Sequence, residues 1–465
     1  MKKRVIFIVV TALLCCLLVA CGSKTRLQAP QNIRQNGPFL IWDEVKNAEG
    51  YIVLADNEEY VTAEPSCNLS FLGGETVYVV KIKAVGDGEN FADSDWSEFG
   101  FNEIFKYTLL ADGSGYEVNL SVSSVELQDR KVVVPSTYEN LPVTRIADKM
   151  FYKCASLTEV VLPNTLKEIG ANAFYNCDAL ESIDLPSSVT AIGSSAFSGC
   201  SSLKKLVVPT GIEQIENLTF EGCTSLTEIV LPNTLKEIGK MAFINCKALT
   251  SIELPESVTA IGPSAFMHCS SLKKIVVPTG IERIESNMFN DCTSLTEVVL
   301  PSMLKEIRGM AFFGCIALEN IELPASVTAI GSIAFGGCSS LKKIVVPTGV
   351  ERIEGSTFVG CSNLTEVVLP STLKEIMGMA FRKCEALKTV VLPSSLEDIG
   401  KDAFYMCPLE SVFFDGTEAE FLSVSVAEGN DSILSAAVYF YSETEPTENP
   451  QKFWRFSGGK PLPWA

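Results

Sequence analysis

The stretch SSLKKIVVPTGIERIE, residues 270–285, decides the fold of this 465-residue chain because the chain contains it three times. Residues 201–216 read SSLKKLVVPTGIEQIE, and residues 339–354 read SSLKKIVVPTGVERIE. The copies begin at equal intervals, and each follows a cysteine: Cys200, Cys269 and Cys338. Repetition at a fixed period indicates a stack of equivalent structural units.

The cysteines show that the basic period is shorter than the interval between these copies. Twelve of the 16 cysteines are evenly spaced from Cys154 to Cys407, with a 23-residue period. Metal sites and disulfide frameworks do not have such even spacing over this length, whereas a solenoid does. We therefore predict about 12 rungs, each a 23-residue unit, and each interval between the copies holds three rungs.

The 23-residue unit predicts how each rung is built. In CASLTEVVLPNTLKEIGANAFYN, residues 154–176, the spacing of Leu157, Val160 and Leu162 points three apolar side chains to one side of a short strand. Pro163 ends that strand because it cannot donate a backbone hydrogen bond. Phe174 closes the far side of the rung. One unit cannot bury both of its sides, so the rungs must stack and the ends need caps.

This unit resembles the Treponema-type (BspA-like) leucine-rich repeat, whose pattern here is L-x-x-[IV]-x-L-P-x-x-[LV]-x-x-I-x-x-x-A-F-x-x-C. The resemblance covers residues 151–407. It implies a mainly β protein, a right-handed leucine-rich-repeat solenoid with a parallel sheet on one face. Family members are bacterial or protist surface proteins implicated in adhesion to host matrix proteins and to other cells, so the resemblance implies protein ligands.

The N-terminus predicts export. MKKR precedes an apolar segment, and Leu18-Val19-Ala20-Cys21 resembles a bacterial lipobox. We expect residues 1–20 to be a lipoprotein signal peptide and Cys21 to carry the lipid that anchors the protein to the membrane at the bacterial cell surface. A plain membrane anchor and an ordinary signal peptide are the alternatives.

The flanks of the repeats differ in composition. Residues 21–29 form a tether, and residues 30–102 resemble a fibronectin type III β-sandwich, in which Trp42 and Leu69 would fill the core and Tyr78 would occupy the tyrosine corner. The remaining predicted segments are an N-terminal cap with a first irregular rung (103–150), a C-terminal cap (408–441) and an aromatic, Pro- and Gly-containing tail (442–465). For the tail, docking on the last rung and a flexible end are both open.

Charge and histidine content exclude several functions. The net charge is −19, with 56 acids against 37 bases, which argues against nucleic-acid binding. The chain has one histidine, His268, which excludes most His-based nucleophile triads and multi-His metal sites. We predict a monomeric, non-enzymatic protein without a cofactor. A glycosidase using paired carboxylates is the distant enzymatic alternative.

The cysteine ladder has two interpretations. Rungs about 4.8 Å apart would allow disulfides between successive cysteines. Equivalent side chains on successive rungs point in parallel, however, which suits the disulfide dihedral angle poorly. Free buried thiols are the favoured interpretation, with Cys67 as a further buried or half-buried thiol.

The three-rung block gives the exposed side of the strands a pattern in which acidic, neutral and basic rungs alternate. One interpretation is neutralisation between neighbouring strands. The other is a charged and partly apolar docking face for a protein, with avidity for a repetitive ligand. Binding or scaffolding at a cell wall or polysaccharide is the alternative function, although the repeat strands expose no aromatic rings for sugars. The candidate protein-binding residues are Glu159, Val161, Lys204, Lys205, Val207, Glu228, Lys273, Lys274, Val276, Glu297, Lys342, Lys343, Val345 and Glu366.

Overall fold

A computed structural model of the chain describes residues 24–36, 39–55, 58–68, 79–100, 105–121, 131–457 and 460–464. The chain divides into two compact units between Phe99 and Gly100. The predicted signal peptide, Cys21, Leu69 and Tyr78 lie outside the described residues.

The N-terminal unit consists of short strands in three sheets. The sheet orders are β1-β8, β2-β3-β6 and β5-β4-β7-β9. Buried Trp42 packs edge-on against Tyr51, with ring centroids 5.2 Å apart, and burial raises the pKa of the Cys67 thiol. The fibronectin type III resemblance stays a prediction. The strands are β1 (Thr25–Arg26), β2 (Arg34–Asn36), β3 (Phe39–Ile41), β4 (Gly50–Ala55), β5 (Glu58–Thr62), β6 (Ser66–Asn68), β7 (Val79–Val85), β8 (Phe91–Ala92) and β9 (Ser97–Gly100).

The second unit begins with a hairpin that leads into the first turns of a solenoid. Its strands are β10 (Phe105–Leu109), β11 (Tyr116–Leu120), β12 (Lys131–Val133), β13 (Thr137–Tyr138) and β14 (Leu141–Ile146). β10 and β11 pair antiparallel, and β11 then pairs parallel with β14. Arg145 forms ion pairs with Glu117, Asp148 and Glu168, which links the hairpin to the first rungs.

Each rung contributes strands to one or both of two parallel rows. The first row is the predicted sheet, and it is broken at every third rung, where isolated bridges such as Ser251 to Lys274 replace a full strand. It comprises β15 (Glu159–Val161), β18 (Lys205–Val207), β20 (Glu228–Val230), β23 (Lys274–Val276), β25 (Glu297–Val299), β28 (Lys343–Val345), β30 (Glu366–Val368) and β32 (Thr389–Pro393).

The second row was not predicted from the sequence. Its strands have two residues each, and the second residue is a buried isoleucine. They are β16 (Glu168–Ile169), β17 (Ala191–Ile192), β19 (Gln214–Ile215), β21 (Glu237–Ile238), β22 (Ala260–Ile261), β24 (Arg283–Ile284), β26 (Glu306–Ile307), β27 (Ala329–Ile330), β29 (Arg352–Ile353), β31 (Glu375–Ile376) and β33 (Asp398–Ile399).

The interior is a set of ladders of identical side chains. Phenylalanines stack from Phe151 to Phe404 with ring centroids 5.1–5.8 Å apart and planes within 17° of parallel. Beside them, each cysteine from Cys177 onward donates to the carbonyl of the phenylalanine 26 residues earlier, as Cys269 does to Phe243 at 3.2 Å. These ladders bury both sides of every rung.

All thirteen cysteines from Cys67 to Cys407 are free and buried, which confirms the prediction of free thiols. Burial raises the pKa of the Cys269 thiol to about 12, and that of Cys338 also to about 12. The thiolate is the reactive form of cysteine, so these groups are inert in the folded protein.

Every rung turns its corner through a residue with positive φ. One such position recurs once per rung from Asn172 to Asp402, and none of its residues is glycine. Most are asparagine, serine or methionine, but Ile333 is β-branched and has φ of 61°. A β-branched residue in the left-handed region is strained. Because no glycine marks this position, the sequence pattern carried no signal for it.

The solenoid has about 14 turns in all, two more than the cysteine-marked rungs, and it continues beyond the last cysteine. The elements at this end are β34 (Ser411–Asp415), α1 (Glu418–Ser423), β35 (Ser425–Val426), α2 (Asp431–Ser435), β36 (Ala437–Tyr441), a 3₁₀ turn (Pro450–Lys452), β37 (Phe453–Ser457) and β38 (Lys460–Pro463). β34, β36 and β37 extend the first row in parallel, and β35 ends the second row.

The tail docks on this end of the stack. Trp454 is fully buried, and its indole N–H donates to the Phe414 carbonyl at 2.9 Å. β38 folds back antiparallel on β37, with Phe456 opposite Pro461 and Trp454 opposite Pro463. The Trp464 amide donates to the Phe453 carbonyl. Because alternate residues of an antiparallel strand bond to the same neighbour, the backbone nitrogens of Pro461 and Pro463 face away from β37.

Candidate functional site

The outward side of the first row, here called the strand face, has two columns of side chains. In each three-residue strand the first and third residues point outward and the middle one is buried. The charged column runs along the first positions: Glu159, Ser182, Lys205, Glu228, Ser251, Lys274, Glu297, Asn320, Lys343 and Glu366. The valine column runs along the third positions: Val161, Asp184, Val207, Val230, Glu253, Val276, Val299, Glu322, Val345 and Val368.

The charged column neutralises itself. Lys205 pairs with Glu228 at 2.7 Å, and the same contact recurs one block later between Lys274 and Glu297 at 2.7 Å. The third copy joins Lys343 to Glu366 at 2.6 Å. The side chains are about half exposed, so each pair contributes about 0–1 kcal/mol. These pairs show that strand-to-strand neutralisation, one of the two interpretations of the pattern, operates on this face.

A second lysine precedes each lysine of the charged column, and it also pairs with a glutamate, with one exception. Lys204 pairs with Glu181 at 2.7 Å, and Lys342 pairs with Glu319 at 2.6 Å. Lys273 has Thr250 at the corresponding place in the preceding rung and forms no ion pair among the described residues. It is therefore an unneutralised cation on the strand face.

The valine column holds the exposed apolar surface. Val207 is 55 % exposed and lies opposite Val230 in the strand register. The same pair recurs as Val276 with Val299, and Val345 with Val368, all more than 40 % exposed. The sheet thus presents three equal valine pairs to solvent.

An exposed acid precedes each valine pair in the column: Asp184, Glu253 and Glu322. None of these three forms an ion pair among the described residues, in contrast to the acids of the charged column. They recur once in every three rungs. After internal pairing, the face therefore retains valine pairs and a row of free carboxylates.

The structure brings all fourteen predicted binding residues together on the strand face, and every one of them is exposed. Their role in binding stays a prediction.

The second row forms another charged surface, which the sequence interpretation missed. Lys236, Lys305 and Lys374 pair with a glutamate of the preceding rung at 2.7–2.9 Å. Two-residue strands contain no alternation, so only the recurrence of Lys, Thr and Glu before each strand, in step with the three-rung block, could have revealed these pairs.

An open cleft of about 520 Å³ lies on this second surface. Thr328 and Ala329 are among its lining residues, in a rung whose small side chains separate charged rungs. Its rim acids are already paired, Glu306 with Arg283 and Glu351 with Lys374. The cleft therefore offers little unpaired chemistry to a ligand.

The C-terminal end of the strand face carries aromatic rings, which corrects the expectation of a face without them. β34, β36 and β37 extend the first row, and their outward residues form one cluster of contacting rings. We call Phe413, Tyr439, Tyr441, Trp454 and Phe456 the aromatic cluster. Phe456 is 54 % exposed, while Trp454 is buried beneath it. The error arose because these strands lie outside the 23-residue pattern.

Other chemistry is sparse. Among the residues that the structure describes, no group of three or more His, Cys, Asp and Glu side chains is placed to hold a metal ion. His268 is partly exposed, and its Nδ1 lies 3.4 Å from Asp291 Oδ2. In the described part of the chain, no helix has the length and apolarity needed to cross a membrane.

Comparison with known families gives a match over most of the solenoid. The family described as BspA type leucine rich repeat region matches in six copies, over residues 135–223, 201–319 and 305–425. Together these matches span residues 135–425, more than half of the chain. A search of curated proteins finds no match.

Solved structures of leucine-rich repeat proteins are similar to the chain. A leucine-rich repeat protein from Bacteroides ovatus is 29% identical with a TM-score of 0.50, and the alignment covers 70% of this chain and 90% of that one. A leucine rich cell surface protein from Faecalibacterium prausnitzii is 26% identical with a TM-score of 0.42, covering 71% and 98%. The leucine rich repeat protein of T. pallidum is 29% identical with a TM-score of 0.34, covering 51% and 88%.

Proposed function

Because the chain belongs to the BspA-type leucine-rich repeat family, we propose that it is a non-enzymatic surface lipoprotein that binds proteins through its strand face. Proteins of this family are often surface proteins, and leucine-rich repeat proteins generally mediate protein interactions. The ligand is a protein of the host extracellular matrix or of another cell.

The valine pairs carry this proposal. Contiguous exposed apolar patches on soluble proteins often mark binding sites when they are large. Here three equal pairs lie in line on the strand face, beside a charged column whose lysines and glutamates neutralise one another. An identical patch every three rungs favours a long or repetitive protein ligand, because each further contact is intramolecular.

Binding to an array of purified extracellular-matrix proteins tests the proposal. We expect the triple variant Val207→Asn, Val276→Asn, Val345→Asn to lose at least about tenfold in affinity for the matrix protein that binds, because one valine of each pair becomes polar. The matched control is Ala191→Asn, Ala260→Asn, Ala329→Asn, which places the same residue at the same spacing on the second row. Equal affinity of wild type and valine variant, or an array without any ligand, would overturn the proposal.

The anchor at Cys21 is the second part of the proposal. The L-V-A-C-G-S sequence supports it. We expect wild-type protein to incorporate radiolabelled fatty acid and to sediment with membranes, and Cys21→Ser to do neither. Fatty-acid labelling of the Cys21→Ser variant would show that the lipid is attached at another residue.

The aromatic cluster favours a second candidate, binding of a cell-wall polysaccharide. Rings stack on the apolar faces of sugars, and Tyr441 and Phe456 are both exposed at the end of the strand face. Retardation in gels that contain cell-wall polysaccharide tests this function. The double variant Tyr441→Ala, Phe456→Ala should migrate as in a sugar-free gel, whereas the valine variant should still be retarded.

A further inference from the structure

We propose that the segment bound by the strand face is a basic, extended stretch of protein, with a lysine or arginine at about every fourth residue and an apolar side chain midway between them. This inference rests on the proposed function and specifies the chemistry of its partner. Three observations carry it: the charge left on the face, the order of its side chains and its period.

The charge left after internal pairing is mainly negative. The lysines of the charged column are each held by a glutamate at 2.6–2.7 Å. Lys204 and Lys342 are held likewise, and Lys273 is the exception. The acids of the valine column have no partner in the described part of the chain. A cationic ligand can therefore pair with Asp184, Glu253 and Glu322 without breaking an existing contact.

The order along the valine column places these acids between the apolar patches. Reading along the stack, one acid alternates with two valines, from Asp184 to Val368. A ligand that lies along this column meets a carboxylate, an apolar patch two rungs wide and then a carboxylate again. It needs a cation and an apolar side chain in alternation on the side that faces the protein.

The period fixes the spacing within that ligand. Neighbouring strands lie about 4.8 Å apart, so acids three rungs apart are about 14 Å apart. Four residues of extended chain span about 13 Å. In an extended chain alternate residues face the same way, so a cation at position 1, an apolar residue at position 3 and a cation at position 5 match the column.

The probe is a sixteen-residue synthetic peptide, four repeats of Lys-Thr-Val-Thr, measured with the full chain by fluorescence anisotropy. The first control peptide has Glu in place of Lys. The second has the lysines six residues apart. We expect the four-residue peptide to bind more tightly than either control, and we expect its affinity to fall when salt is raised from about 0.05 to 0.5 M.

The protein variant Asp184→Asn, Glu253→Gln, Glu322→Gln should bind this peptide about tenfold more weakly, because three exposed ion pairs are lost. Its matched control is Glu213→Gln, Glu282→Gln, Glu351→Gln on the second row. That control changes the net charge equally and at the same spacing, and its affinity should fall less than about twofold.

Equal losses in the two variants would overturn the inference, since net charge alone would then explain binding. Equal affinity for either control peptide, or no binding of the four-residue peptide, would also overturn it. The proposed function fails separately, when the valine variant keeps its full affinity for a matrix protein. A ligand that loses affinity for the valine variant but binds the acid variant as tightly as wild type would leave the proposed function intact and refute this inference.

Discussion

The interior of the solenoid and its strand face are built from the same rungs but repeat at different distances. Inside, phenylalanine and cysteine recur in every rung, and outside the side chains recur in every third rung. An interior residue packs on its own copies above and below, so identity is favourable. A charged residue outside would repel its own copy, so the face needs more than one kind of rung. Packing in the interior therefore sets the period of one rung, and charge pairing on the strand face permits the period of three rungs.

Alkaline pH should give the largest effect, and it acts on the interior. Burial raises the native pKa of Cys269 and Cys338 to about 12, while the pKa of an exposed thiol is 9.0. The stability that these neutral thiols contribute is complete below pH 9 and is lost as the pH rises towards 12, by about 1.4 kcal/mol per thiol per pH unit. We expect a steep fall of Tm above pH 9, measured by circular dichroism. The variant Cys269→Ala, Cys338→Ala should show a shallower fall, and an unchanged slope would contradict this account.

Truncation of one stacked ring should cost more than truncation on the strand face of the next rung. Phe266→Ala removes a fully buried ring between two others, and we expect the free energy of unfolding to fall by about 3–5 kcal/mol. Val276→Ala, on the strand face, should cost less than about 1 kcal/mol. Urea denaturation measures both. Equal costs would mean that the strand face also contributes a packed layer.

Relief of backbone strain should produce a smaller change of opposite sign. Ile333 has φ of 61°, where the other two blocks have Ser195 and Ser264. We expect Ile333→Ser to raise the free energy of unfolding by about 1 kcal/mol. The reciprocal change Ser264→Ile should lower it by a similar amount. If both changes destabilise the protein, packing of the isoleucine outweighs the strain.

The smallest effect should come from the charged column. Lys274→Gln removes the contact with Glu297, at a cost of about 0.2–1 kcal/mol. Lys273→Gln removes no ion pair seen in the described residues and should cost close to nothing. The difference between the two variants, measured by thermal unfolding, should vanish in about 1 M NaCl. A difference that survives high salt would point to packing of the lysine stem.

The repeat made the interior predictable from sequence. The positions of Leu157, Val160 and Phe174 in one unit determined what is buried in all the others, and the structure confirms the stack and its free thiols. The same register predicted which residues of each strand are exposed.

Features outside that register were missed for physical reasons. Strands of two residues, such as Glu306–Ile307, are too short for alternation to identify. The aromatic cluster joins Phe413 to Trp454 through pairing of strands with irregular connections, which the period of the rungs cannot show. On the second row, the pairing of lysines with glutamates depends on side-chain direction, which the sequence pattern leaves open.

The two prolines of β38 determine how the stack ends. Their nitrogens face away from β37, and neither carries a hydrogen, so this edge lacks the donors at Pro461 and Pro463 that a further strand would need. An open row of parallel strands would otherwise template end-to-end growth into a fibre. The prolines therefore disfavour the addition of another strand at this edge, whereas duplication within the gene can add rungs inside the stack.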